Sequence, residues 1–190
     1  MKRVLCAIAA AGLLAAACGG AAAPVATTAP VAAKTAAPTT AAPTPQTVYV
    51  FTADLKAANE VPPVIDAEAT GSGTTTVTLT TTKDSTGKIT AATAKFEIVL
   101  KGFPATTNIT ISHIHKGGPT VAAGVVVDSG MKATEPITLT TGGTSITKDN
   151  LTVPPDLATD IIANPGNYYY NVHSTVHGPG VVRGQLKPKS

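Results

Sequence analysis

The chain of 190 residues has no tryptophan, and aromatic residues make up only 4% of it. Charged residues are 13%, about half the usual share. With so few aromatic rings and so few cations, neither base stacking nor a basic field is available, which excludes nucleic acid as a partner. Cysteine is limited to Cys6 and Cys18, so no disulfide framework staples the fold. Gly-x-Ser-x-Gly, a phosphate loop, a cysteine nucleophile near a base and a convincing carboxylate pair are all missing. What is abundant is glycine (17) and proline (15), which argues against a helical bundle.

The first eighteen residues read as an export signal. Lys2 and Arg3 are followed by the apolar run Val4–Ala17, too short to span a bilayer. The run ends Leu14-Ala15-Ala16-Ala17-Cys18-Gly19, which resembles the bacterial lipobox. That resemblance implies an acylated Cys18 at the mature N-terminus, with cleavage just before it, and a lipid anchor in the bacterial cell envelope. Here Ala15 stands where the pattern prefers Leu. Removal of Lys2 and Arg3 leaves 12 basic residues against 11 acidic ones, so the mature charge is close to zero. The reading divides the chain into a signal over residues 1–18, a linker over 19–46 and a domain over 47–190. The linker holds 11 Ala, 6 Thr and 5 Pro and no large apolar side chain, so it cannot build a core. Extended like polyproline it would reach roughly 85 Å, enough to lift a domain away from a membrane.

From Thr47 onward apolar residues alternate with Thr, Ser and Lys, the period of half-buried strands. Eight strands are predicted: 47–55, 74–82, 88–101, 108–115, 124–128, 136–141, 168–173 and 181–187. A phase change near Ala91–Ala92 predicts a bulge. Pro154-Pro155-Asp156, with apolar Leu157, Ala158, Ile161 and Ile162, predicts one short helix that stops at Asn164-Pro165-Gly166. The predicted fold class is all-β: an antiparallel sandwich with one short helix.

Three motifs carry identity. They are Leu55-Lys56-Ala57-Ala58-Asn59-Glu60-Val61-Pro62-Pro63, then His113-Ile114-His115-Lys116-Gly117-Gly118, then Tyr168-Tyr169-Tyr170-Asn171-Val172-His173 with His177-Gly178-Pro179-Gly180-Val181-Val182-Arg183-Gly184. Together, over residues 47–187, they resemble the CHRD domain, named from chordin and found in many bacterial secreted and lipid-anchored proteins. The resemblance implies an immunoglobulin-like β-sandwich without catalytic activity that binds an extracellular or periplasmic ligand. Asn59, Glu60 and Arg183 are candidate ligand contacts, and Arg183 is expected to pair with Glu60 or Asp128.

All four histidines fall inside these motifs. His113 and His115, two apart on a strand, leave the same face, and the expected row continues Ile109 and Ile111 into the core. His173 ends another strand and His177 follows in a turn. If the strands are neighbours the imidazoles converge, and neutral imidazole suits Cu or Zn. The pattern is similar to the copper half of the Cu/Zn superoxide dismutases, in which a later Arg, here Arg183, guides an anionic substrate. No His lies between His115 and His173, so that family's bridging imidazole and zinc ligands have no counterpart. Two functional readings therefore stand side by side. One is a surface-anchored, non-catalytic binding module. The other is an extracytoplasmic Cu/Zn protein using His113, His115, His173 and His177. A third account, in which the histidines only brace loops, also remains open.

Overall fold

Alternation in the sequence becomes strand after strand in the computed structural model, which describes residues 45–189. The export signal, Cys18 and all of the linker except Pro45 and Gln46 lie outside the described residues. The strands are β1 (Gln46–Lys56), β2 (Ser72–Lys83), β3 (Ile89–Lys101), β4 (Asn108–Lys116), β5 (Val125–Asp128), β6 (Ile137–Thr138), β7 (Thr144–Val153), β8 (Tyr168–Ser174), β9 (Val182–Gln185) and β10 (Lys187–Pro188). One α-helix, α1 (Pro155–Ala163), starts at the expected proline pair and buries Ala158 and Ile161. The fold is all-β, antiparallel throughout, in the order β5-β4-β8-β9-β1-β2-β3-β7, with β10 beside β1 and β6 beside β4.

The sheet curls until its two halves face each other. Phe96 on β3 and Tyr170 on β8 belong to strands far apart in that order, yet their rings meet edge to face with centroids 5.1 Å apart. The end strands β5 and β7 come close without pairing, so the sandwich is nearly closed. Between the halves lie alternate residues of each strand: Phe51, Ala53 and Leu55 of β1, Val77 and Leu79 of β2, Phe96, Ile98 and Leu100 of β3. In the threonine-rich β2 the two apolar residues point inward with no exposure, and threonine fills the outer pleat. Each large apolar side chain buried this way contributes about 1.5–3 kcal/mol.

Two departures from expectation have local causes. The segment Thr144–Val153 is a full strand that the period of two did not reveal. Its inward residues Ile146 and Val153 are out of phase, because Asn150 adopts φ 54° and the pairing with β3 slips by one residue between Ala94 and Phe96. By contrast, Pro136–Thr141 contributes only the two strand residues of β6. The expected bulge in β3 is present: Thr82 faces Ala91 and Lys83 faces Ile89, leaving Thr90 unopposed.

Candidate metal centre

Strand β4 sets the geometry of the site through a second bulge. Ile109 faces Ser174 on β8, but Ser112 faces Val172, so β4 carries one extra residue between them. Ile109, Ser112 and Ile114 therefore point into the core, where the Ser112 hydroxyl meets the Tyr170 hydroxyl at 2.8 Å. His113 and His115 turn to the opposite face. The expected row Ile109-Ile111-His113-His115 does not exist, because the extra residue inverts the alternation before the first histidine is reached.

On that outer face the register assembles a polar grid. His113 lies between Asp128 of β5 and Asn171 of β8, and Asn171 lies beside Arg183 of β9. His115 lies beside Tyr169, and Tyr169 beside Gln185. His113, His115, Asn171, His173 and Arg183 are all buried despite facing outward. Their cover is the glycine-rich loop 117–124. The Arg183 guanidinium donates to the carbonyls of Gly118 (2.9 Å), Pro119 (3.1 Å) and Val121 (3.1 Å), and Gln185 donates to Gly117. The Ala123 N–H donates to the Tyr169 hydroxyl.

Three imidazoles gather under this loop. Ring centroids stand 4.7 Å apart for His113 and His173, 5.3 Å for His113 and His115, and 6.4 Å for His115 and His173. Two of the rings have their tautomer fixed by backbone. His115 donates from Nδ1 to the Ala123 carbonyl and His173 from Nδ1 to the Gly178 carbonyl, each at 2.7 Å. Their Nε2 atoms are left as bare lone pairs, buried and without a partner. His113 is reversed: its Nε2 stands 3.8 Å from the Asp128 carboxylate, and Nδ1 is the buried, unpartnered atom. One nitrogen from each ring lies within 4.8 Å of the other two. Burial, above all, pushes all three imidazoles below the ordinary histidine range, His113 to about 4, and charge on neighbouring rings adds to the effect at His113. At neutral pH they are uncharged, the form that binds metals. A buried polar atom with no partner is costly, so three in one place call for an occupant.

His177 is not part of the cluster. Its Nε2 donates to Asp66 at 2.9 Å and its backbone N–H to the Ser174 hydroxyl, which ties the 3-10 turn at Ala67–Thr70 to the 174–180 turn. The metal-ligating set expected as four thus assembles as three. Nor does Arg183 pair with Glu60 or Asp128; its hydrogen bonds go to loop carbonyls, and its guanidinium stacks on Tyr169 at 3.6 Å. Asn59 donates to the Arg183 carbonyl. Glu60 reaches Asn171 over 3.4 Å and keeps Oε1 unpartnered; burial pushes its carboxyl up to about 7, against the opposing pull of Arg183. Asn59, Glu60 and Arg183 line a cavity of about 540 Å³ together with Lys56, Pro63 and Pro119.

Sequence reasoning missed Tyr169, Asn171 and Asp128 as members of the site. Tyr169 stacks flat on His115, centroids 4.7 Å apart and planes within 6°. Tyr169, Asn171 and His173 recur with a period of two, which was the available signal.

Fold and site together define an antiparallel β-sandwich module that carries a buried three-histidine cluster beneath a glycine-rich loop. The family model of the CHRD domain matches residues 51–186, and the chain belongs to that family. No curated protein and no solved structure shows a significant match.

Proposed function

We propose that this protein is a non-catalytic, envelope-anchored CHRD module that binds one transition-metal ion, Cu or Zn, on His113, His115 and His173. The observation that carries the metal is the convergence of three buried, neutral imidazoles, each with one unpartnered nitrogen. The carbonyls of Ala123 and Gly178 support it as outer partners that orient the rings, an arrangement common behind metal-ligating histidine. Asp128 completes it behind His113. Family membership supports the non-catalytic part. Anchoring rests on the lipobox at Cys18, with the 19–46 linker as spacer.

The test is metal titration of the purified chain followed by thermal melting. One ion per chain is expected, with stabilisation of about 2.7 kcal/mol when free metal is one hundredfold above Kd. His113→Ala and His173→Ala are each expected to abolish that binding, whereas His177→Ala leaves it intact. Binding that persists unchanged in His113→Ala would refute the reading.

A second observation favours an organic ligand as well. The cavity beside Asn59, Glu60 and Arg183 has a volume ordinary for small-molecule sites, and it joins residues of the first and third motifs.

A further inference from the structure

We propose that the three-histidine centre is built for copper as Cu(I), in preference to Zn(II) or Cu(II). This rests on the metal reading above and names the ion that reading leaves open.

The first ground is the charge of the donor set. Among the described residues no carboxylate and no thiol joins the three imidazoles. Asp128 is the nearest acidic group to the ring of His113, and it faces Nε2 rather than the free Nδ1. An ion bound here keeps its whole charge. The solvation lost on burying an ion scales with the square of that charge, so a divalent ion loses four times what a monovalent one does.

The second ground is a fixed cation next to the site. Arg183 is 2% exposed and is hydrogen-bonded only to carbonyl oxygens, so no carboxylate neutralises it directly. Its guanidinium lies on the Tyr169 ring, and that ring lies on His115. Glu60, whose ionised form Arg183 favours, is itself partly protonated at neutral pH through burial.

The third ground is coordination number. Zn(II) takes four ligands in a tetrahedron, and Cu(II) takes four or more in a tetragonal set. The structure gathers three nitrogens, none accessible to solvent, and His177, the remaining histidine, is engaged by Asp66. Among the described residues no further histidine, cysteine or carboxylate joins the buried trio as a fourth donor. Cu(I) shares the filled d shell of Zn(II), but with half the charge it is satisfied by fewer donors, three nitrogens in a plane being enough.

The experiment is an anaerobic competition on the purified chain. Cu(I) is supplied as its acetonitrile complex against the chromophoric chelator bicinchoninate, and Zn(II) and Cu(II) are titrated in parallel. One Cu(I) per chain is expected, retained against equimolar Zn(II) and lost in His115→Ala. Arg183→Gln removes the fixed charge and is expected to raise affinity for Cu(II) relative to Cu(I) by tenfold or more. Arg183→Lys keeps the charge and is expected to keep the preference, which separates charge from loop packing. If Zn(II) or Cu(II) occupies the same histidines more tightly than Cu(I) in the native chain, this inference is overturned and the metal reading stands. If none of the three ions binds, both fall. The native-chain competition decides the matter even where an Arg183 variant does not fold.

Discussion

Burial shifts Glu60 and His113 in opposite directions, and the opposed signs shape the pH profile of the apo-protein. The unfolded His113 takes a proton near 6.5, the folded one only near 4. Between those values the unfolded chain binds more protons, so the stability owed to neutral His113 is complete above about 6.5 and lost as pH falls toward 4. His115 and His173 shift in the same direction. Glu60 does the reverse. Folded, it holds its proton up to about 7, against 4.5 unfolded, so its contribution is complete below 4.5 and lost as pH rises through 7. Replacing it with a neutral amide removes that loss. Glu60→Gln is expected to gain on the native protein between pH 5 and pH 8, by up to about 3 kcal/mol if the whole shift is expressed. Melting curves of both proteins across that range check it; a constant difference would mean Glu60 is not buried as a neutral acid. At this scale the sequence was partly legible. The His-x-His spacing does put two rings on one face. The carbonyls of Ala123 and Gly178 that set their tautomers could not be foreseen, since a backbone oxygen leaves no mark in a residue pattern.

Strand β4 separates two kinds of chemistry across one sheet. Its inward side carries Ile109, Ser112 and Ile114 into the core that Phe96 and Tyr170 fill, and its outward side carries the imidazoles. Damage to one side should therefore spare the other. Phe96→Ala, at a position with no exposure, is expected to cost about 3–5 kcal/mol. Wherever that variant remains folded, its metal stoichiometry should match the native protein. Denaturant titration gives the first quantity and metal analysis of the folded fraction gives the second. Loss of metal in folded Phe96→Ala would show that the two faces are not independent. The elements themselves were readable where the period of two was unbroken, as in β1, β2 and β8. The bulge in β3 showed as a phase change, but reading failed at two others. In β4 an extra residue reversed the faces, and in β7 a left-handed Asn150 put Ile146 and Val153 out of phase. Bulges answer to pairing across the sheet, so their position depends on partners distant in sequence.

For the whole molecule, the distribution of cysteine separates folding from location. Both cysteines precede residue 19, and the domain closes its nearly complete sandwich without any. Without metal its stability should be indifferent to redox conditions: melting of the metal-free domain in reductant and in its absence is expected to coincide. Location, on the proposed reading, hangs on Cys18 alone. Several acyl chains on one residue hold a protein far more firmly than a single chain does. The near-zero mature charge offers no electrostatic substitute at an anionic membrane surface. Cys18→Ser is thus expected to abolish lipid-dependent membrane retention, leaving uncleaved precursor or soluble protein, while the melting temperature and metal content of the domain stay as they were. Fractionation of cells expressing each form, with the mass of the mature N-terminus, makes the measurement. Unchanged membrane association of a serine variant that has lost its signal would remove Cys18 as the anchor, and the linker would then lose its meaning as a tether.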